Sequence, residues 1–174
     1  MSDGEGPITA RSLMKTDFRT IESDRPLREA MELLLDFGDQ RPPLPVVVMH
    51  ADGSFAGLIT PRALFKGLLR KLRPEEVAAL PEPDLLAAMD GQLDLPVAEA
   101  MVRDMPRAYL DDRLITLMKI NCEHRQEFTP VLEDDRVLGI IYLTDIFHAA
   151  ASLAITHDAE GIELPPDEDE GLSH

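Results

Sequence analysis

The chain contains no tryptophan, and aromatic residues make up only 5% of its 174 positions. Basic residues are also scarce, since 17 Lys and Arg stand against 33 Asp and Glu, for a formal net charge of −16. A surface of this charge repels a phosphate backbone, and a shortage of aromatic rings leaves few platforms on which bases can stack. These two shortages exclude a general DNA- or RNA-binding protein, so we expect no nucleic-acid partner.

Cysteine and long apolar segments are equally rare. The single cysteine, Cys122, excludes an intramolecular disulfide bond. The longest apolar stretch, 146–155, has about half the length that a bilayer requires. The N-terminal residues are polar and acidic, and they lack the basic and apolar regions of a signal peptide. We therefore expect a cytoplasmic protein with no membrane partner.

Motifs for metal binding and catalysis are missing as well. The five histidines show no metal-ligand spacing. The chain also lacks a phosphate-binding loop motif and a recognisable pairing of a nucleophile with a base. We expect neither a metal site nor enzymatic activity.

The chain does contain an internal repeat. An offset of 87 positions relates Met14 to Met101, and the same offset relates three further pairs: Asp24 and Asp111, Leu27 and Leu114, Met31 and Met118. Two motifs recur at slightly shorter offsets: Pro45-Val46 as Pro130-Val131, and Gly57-Leu58-Ile59 as Gly139-Ile140-Ile141. We place the first repeat at 7–72 and the second at 95–156.

Each repeat predicts the order strand, helix, strand, strand, helix. The strands are predicted at 18–22, 44–49, 55–60, 107–110, 128–133 and 137–142. The helix after each first strand is expected to begin at an aspartate N-cap, Asp24 in the first repeat and Asp111 or Asp112 in the second. The closing helices are predicted at 61–72 and 143–154. This order of elements predicts an α+β fold. Because one repeat alone would be marginally stable, we expect the two repeats to pack together, with pseudo-twofold symmetry.

The acidic residues are concentrated outside the repeats. The linker, 73–94, has no Lys or Arg beyond its first residue, and it predicts two short helices at 75–80 and 84–89. The tail, 157–174, has seven acids and no Lys or Arg. Its composition predicts disorder.

Four segments of the repeats resemble the CBS domain, named after cystathionine β-synthase. They are Leu44-Pro45-Val46-Val47, Phe128-Thr129-Pro130-Val131, Gly57-Leu58-Ile59-Thr60 and the run from Gly139 to Asp145. CBS domains occur as tandem pairs called Bateman modules, and this chain is similar to a pair without an attached catalytic domain. The resemblance implies that two copies of the chain associate as a disc-like homodimer.

The resemblance also implies a ligand motif, Gly-hydrophobic-x-Thr/Ser-x-x-Asp, where the third strand meets the last helix. In family members that bind adenine nucleotides the Asp accepts hydrogen bonds from the ribose hydroxyls. The second repeat has Gly139 and Asp145, with Tyr142 in the Thr/Ser position and Thr144 directly before the Asp. By resemblance we assign the ribose role to Asp145.

The first repeat keeps only part of this motif. Gly57 and Thr60 are present, but Arg62 and Ala63 stand where the second repeat has Thr144 and Asp145. The resemblance therefore implies a degenerate or differently used first site. Taken together, the candidate ligand-binding residues are Asp145, Thr144, Tyr142, Thr60, Arg62 and Thr129.

The same residues also have structural interpretations, as alternatives to ligand binding. Thr60, followed by Pro61, has the pattern of a helix N-cap, and Asp145 would favour the positive end of a helix dipole. The Tyr142 ring would fill a ligand pocket. Arg62, Lys66 and Arg70 share one helix face, which would meet a phosphate, the acidic linker or solvent.

Basic residues also precede the second strands of the repeats. They are Arg41, His124 and Arg125. Some CBS proteins hold phosphate-binding residues in this region, although the spacing here is longer.

Two functions fit this pattern. The first is a regulatory module that senses an adenosyl ligand (AMP, ADP, ATP or S-adenosylmethionine) between the repeats and signals to a separate protein, with no required cofactor. The alternative is a ligand-free scaffold for dimerisation and protein interaction.

Overall fold

The computed structural model describes residues 6–36 and 44–159. The helices are α1 (Ala10–Leu13), α2 (Leu27–Leu35), α3 (Pro61–Leu69), α4 (Pro74–Val77), α5 (Glu82–Leu93), α6 (Leu114–Glu123) and α7 (Leu143–Ala159), with a 3-10 turn at Val97–Glu99. The strands are β1 (Thr20–Glu22), β2 (Val46–Met49), β3 (Phe55–Ile59), β4 (Phe128–Glu133) and β5 (Arg136–Tyr142). The α+β fold is thereby confirmed.

Each repeat contributes one small sheet. In the first, β2 pairs with β1 in parallel and with β3 in antiparallel orientation. In the second, β4 and β5 form the equivalent antiparallel hairpin. Apolar residues of both sheets form a shared cluster, with Leu58 and Val47 from the first and Ile140 and Phe128 from the second. The two repeats are therefore packed sheet against sheet.

The predicted strand 107–110 is wrong in extent. Only Ala108 pairs there, in an isolated parallel bridge with Val131. The segment then turns, because Asp112 N donates to Tyr109 O at 3.0 Å and Tyr109 N donates to the Asp112 carboxylate at 2.8 Å. This local turn ends the extended backbone before a strand can form.

The segment at the start of each repeat packs into the other repeat. Residues 8–15 contribute Ala10 and Met14 to the core of the second repeat. Residues 93–102 contribute Val97 and Met101 to the core of the first. The two halves are joined by this exchange of segments as well as by the contact between their sheets.

Backbone hydrogen bonds follow the exchange with twofold regularity. Lys15 and Ile140 bond each other through both N–H and C=O groups, at 2.8 and 2.9 Å. Val102 and Leu58 form the equivalent pair, at 2.8 and 3.0 Å. Each exchanged segment thus lies beside the third strand of the opposite repeat and pairs with it through one antiparallel bridge.

Helix α2 begins later than predicted, and Asp24 does not cap it. Its N-cap is Pro26, which has no side-chain oxygen to accept from the first turn. Instead, Leu27 N donates to Leu95 O at 2.8 Å. A backbone carbonyl of the exchanged segment supplies the acceptor that the aspartate was expected to provide.

Helix α6 corrects the second N-cap prediction in the same way. Its N-cap is Arg113, without a side-chain cap, and neither Asp111 nor Asp112 has that role. Leu114 N donates to Ile8 O at 3.1 Å, so the other exchanged segment supplies this acceptor.

The remaining predicted helices differ mainly in length. The closing helix α3 ends at Leu69, whereas α7 continues to Ala159 and so includes the first residues of the predicted tail. In the linker, α4 ends earlier than predicted. Helix α5 is longer than predicted, because its Leu93 is buried in the first core and its Asp90 pairs with Arg28 on α2 at 2.8 Å. The predicted disorder at 160–174 lies outside the described residues.

The exchange depends on glycine at its closest approach. A Cβ on Gly57 would lie 2.6 Å from Val102 O, which is backbone and must shift. We therefore expect Gly57→Ala to lower the free energy of unfolding by about 1–3 kcal/mol, as overpacking does. Chemical denaturation monitored by circular dichroism measures this change.

Gly91→Ala is the matched control. Gly91 lies in α5 with open space around it, and alanine there should raise the free energy of unfolding by about 0.5–1 kcal/mol through helix propensity. Equal effects of the two substitutions would contradict the close approach of Val102 to β3.

Candidate functional site

The two junctions between a third strand and a closing helix lie at the packed face of the repeats. At the first, β3 leads through Thr60 into α3, and at the second, β5 leads directly into α7. Leu58 and Tyr142, which flank these junctions, both belong to the cluster shared by the sheets. The sequence-predicted ligand motifs therefore face the contact between the repeats.

A cavity of about 220 Å³ opens at the first junction. Its apolar walls are Leu58, Val102, Met105 and Phe128. Since Met105 and Phe128 come from the second repeat and Leu58 from the first, the cavity is built by both repeats. Its polar walls are Thr60, Arg62, Lys66, Arg125, Gln126 and Glu127.

Thr60 has a confirmed structural role at this cavity. Its Oγ1 accepts a hydrogen bond from Ala63 N at 3.1 Å, and Pro61 occupies the first helical position. The N-cap interpretation of Thr60 is confirmed. Because a hydroxyl also carries a donor hydrogen, capping leaves Thr60 able to donate to a ligand.

The predicted basic stripe on α3 divides into two parts. Arg62 and Lys66 line the cavity, whereas Arg70 forms an ion pair with Glu99 at 2.8 Å. Arg62 lies 3.5 Å from Glu127, and both side chains are largely exposed. Water therefore weakens this pair, and Arg62 is only loosely held.

The basic residues before the second strands also separate. Arg125 lines the cavity, whereas His124 is the exposed C-cap of α6. Arg41 lies outside the described residues.

At the second junction, Tyr142 occupies the place that Thr60 has at the first. Its side chain is buried, and its ring centroid lies 5.4 Å from that of Phe128. Burial raises the pKa of the Tyr142 phenol, and the negative charges of Asp17 and Asp145 raise it further. The expected filling of this space by the Tyr142 ring agrees with its burial in the shared cluster.

Asp145 lies in the first turn of α7, close enough to Tyr142 to affect its ionisation. Its Oδ2 is buried and has no hydrogen-bond partner among residues 6–36 and 44–159. Thr144, the next candidate, is exposed. The second junction thus holds a carboxylate oxygen that the described part of the protein leaves unsatisfied.

The backbone of Thr129 lies beside the second junction, because it pairs with Ile141, the residue before Tyr142. Thr129 is fully buried, and its Oγ1 has no partner in the described ranges. Its cross-strand neighbour Ile141 and the residue two positions on, Val131, both belong to the internal core of the second repeat. Because alternate residues of a strand share a face, Thr129 points towards that core.

Sequence reasoning did not identify several cavity residues. Val102 ends the exchanged segment, Met105 follows it, and Gln126 and Glu127 lie just before β4. The repeat offset was a usable signal, because Met105 is the counterpart of Phe18, which packs on the shared cluster.

A wider groove of about 1090 Å³ runs along β1 and α2. Its acidic walls include Glu22, Glu32 and Asp36, and it contains none of the predicted ligand residues. We therefore place the candidate site at the two junctions.

Two further findings limit the chemistry of the described residues. In this part of the chain, no three His, Cys, Asp or Glu side chains gather closely enough to hold a metal ion. None of its helices combines the length and the hydropathy needed to cross a bilayer.

The environment of Tyr142 can be measured by its ionisation. In Tyr109→Phe, which leaves Tyr142 as the only tyrosine, the phenolate absorbance at high pH should rise with a midpoint above the ordinary value of about 10. Asp145→Asn in this background should lower the midpoint, because it removes one of the negative charges. An unchanged midpoint would contradict the proximity of Asp145.

The same shift predicts how stability depends on pH. Because folding raises the pKa of Tyr142, the folded protein holds this proton more tightly than the unfolded chain. Its contribution to the free energy of unfolding is complete below about pH 10 and is lost as the pH rises through the folded pKa.

Comparisons with known proteins agree with this architecture. A CBS-domain containing protein from Agrobacterium tumefaciens matches with 26% identity and a TM-score of 0.58, over 78% of this chain and 85% of that chain. A CBS-domain protein from Kribbella flavida matches with 17% identity and a TM-score of 0.67, over 83% of this chain and 99% of that chain. Among curated proteins, none has a significantly similar sequence.

A further similar structure contains bound ligands. It is the CBS domain pair of the protein MJ0100 in complex with 5′-methylthioadenosine and S-adenosyl-L-methionine, at 17% identity and a TM-score of 0.62, over 85% of this chain and 99% of that chain. The family model of the CBS domain matches this chain twice, at residues 10–70 and 97–152. These two matches cover both repeats, and the chain therefore belongs to the CBS domain family as a tandem pair.

Proposed function

We propose that this CBS pair is a regulatory module that binds an adenosyl ligand, either AMP, ADP, ATP or S-adenosylmethionine, at the second junction and signals to a separate partner protein. The observation that carries the proposal is the buried Asp145 Oδ2, which has no partner in the described ranges. A carboxylate in that state gains from a donor, and the vicinal hydroxyls of ribose supply two.

The position of Asp145 in the sequence supports the same role. Asp145 is at the last position of the family's ligand motif, in the first turn of α7. The complex of MJ0100 with S-adenosyl-L-methionine shows that a related pair accommodates such ligands. The cytosolic domain of the Mg²⁺ channel MgtE, a further similar structure, is in complex with ATP.

Tyr142 determines how a ligand enters this junction. Its ring is in the place of the small Thr/Ser of the motif and is packed against Phe128. A nucleoside must therefore stack beside the ring or displace it. Either change would be felt in the cluster shared by the two sheets, which offers a route from ligand binding to the arrangement of the repeats.

The proposal assigns no catalysis, required cofactor or metal to the chain, and it places the regulator in the cytoplasm. The partner protein recognises the change that ligand binding produces in the arrangement of the two repeats.

Thermal unfolding with AMP, ADP, ATP and S-adenosylmethionine tests the sensor. A true ligand at 100 times its dissociation constant stabilises the fold by about 2.7 kcal/mol, which is roughly 5–11 °C in Tm for a chain of this length. Asp145→Asn should abolish most of this shift. No shift with any of the four ligands would refute the proposal.

Asp84→Asn is the matched control for this experiment. Asp84 is also a first-turn helix carboxylate, but it is exposed on the linker helix α5. It should retain the full ligand response. A loss of response in both variants would mean that the effect of Asp145 is one of general charge.

A ligand-free scaffold is the second candidate, and a specific surface favours it. Phe65 on α3 and Phe147 on α7 are repeat equivalents and are 60% and 71% exposed. Leu69 and Leu143 on the same helices are also exposed. A twofold interface needs one self-complementary patch, and exposed apolar side chains of this size are typical of such patches.

Sedimentation of the purified protein tests the scaffold. We expect a homodimer that Phe65→Ser or Phe147→Ser converts to monomer, while Leu35→Ser, which alters an equally exposed apolar residue on α2, leaves it dimeric. A monomeric wild-type protein would contradict dimerisation. A dimer with no response to adenosyl ligands would favour the scaffold over the sensor.

A further inference from the structure

The cavity at the first junction concentrates positive charge in an acidic protein. Arg62, Lys66 and Arg125 line it, and Glu127 is the only acidic residue among its walls. The whole chain carries a formal charge of −16. Because Arg125 is about 60 positions from the other two cations, this concentration arises from the packing of the repeats and not from the local sequence of one helix.

Two of these cations have no counter-charge among the residues that the structure describes. The carboxylate of Glu127 pairs with Arg62 at 3.5 Å. Lys66 and Arg125 form no ion pair with any residue in the described ranges. An anion in the cavity would therefore meet two positive charges that are not already neutralised.

The uncharged walls add hydrogen-bond donors. The Thr60 hydroxyl retains its hydrogen while its oxygen caps α3, and the nine-residue helix begins at this wall with its positive dipole end. Gln126 is partly buried, and its Oε1 has no partner in the described ranges. Rotation of the Gln126 carboxamide by 180° brings the donor Nε2 to that position.

The cavity lacks what a nucleoside would need. Ala63 stands in the place of Asp145, and the one carboxylate among the walls, Glu127, is exposed and lies 3.5 Å from Arg62, so the cavity has no counterpart of the unpaired, buried Asp145 oxygen. The volume of about 220 Å³ is below the roughly 300 Å³ at which sites for larger ligands begin. Charge and size both favour a small anion.

We propose that the first junction binds a compact oxyanion, a phosphate or diphosphate group, through Lys66, Arg125 and Arg62, without recognition of a sugar or base. The two junctions of the pair then bind different chemical groups. The first responds to a phosphate group, whereas the second is the adenosyl site proposed above. The oxyanion site does not depend on Asp145.

Isothermal titration with inorganic pyrophosphate at low ionic strength tests this site. We expect binding by the wild-type protein, a loss of about fivefold or more in affinity in Lys66→Gln and in Arg125→Gln, and weaker binding as salt is raised. Lys119→Gln is the matched control, because Lys119 is an exposed lysine on α6 and not a wall of the cavity. Circular dichroism checks that each variant is folded.

A second set of titrations separates a free phosphate from the phosphate of a nucleotide. In Asp145→Asn, which removes the proposed adenosyl site, pyrophosphate should bind as in the wild type, adenosine should not compete, and ADP should bind no more than tenfold tighter than pyrophosphate. Competition by adenosine, or a larger preference for ADP, would show that the first junction recognises a nucleoside and would overturn the proposal.

Two other results would also overturn it. One is the absence of pyrophosphate binding to the wild-type protein. The other is equal affinity in Lys66→Gln, Arg125→Gln and Lys119→Gln, since binding would then reflect only the general attraction of an anion to exposed lysines and arginines. Neither result bears on the adenosyl response of Asp145, so the two proposals can fail separately.

Discussion

The exchange of the segments 8–15 and 93–102 is the constraint on which the rest of the structure depends. Each segment supplies apolar side chains to the core of the other repeat and pairs with the third strand of that repeat. Each also supplies a carbonyl acceptor to the start of a helix of the other repeat, α2 or α6. Neither repeat can complete its core from its own residues. The pair is therefore one cooperative unit, which agrees with the marginal size of a single repeat.

The exchange also builds the cavity at the first junction. Val102 ends the segment that crosses β3 and Met105 follows it, so both form walls of this cavity as a consequence of that crossing. A ligand there would contact both repeats at once. Its binding energy would act on the relative position of the two sheets, which is what a regulatory module requires.

The two junctions have similar backbone arrangements but differ in their side chains. Each repeat places a glycine beneath the crossing segment and starts its closing helix at the shared face. The second junction has a carboxylate with one buried oxygen beside a buried phenol, whereas the first has an alanine and a group of cations. Duplication preserved the scaffold, while side chains at the two junctions diverged.

The sequence alone determined the duplication, the order of elements and the position of most hairpins and helices, because apolar periodicity, turn residues and N-caps such as Thr60 act over a few positions. It also located Asp145 and Tyr142 at one junction. Only the tertiary structure decided that the first segment of each repeat packs into the other repeat, that Asp24 does not cap α2, and that Arg125 lies at the same cavity as Lys66. These outcomes depend on contacts between residues far apart in the chain. The segment exchange and the capping of α2 are made by backbone N–H and C=O groups, which residues of almost every type have and which leave no mark in the sequence.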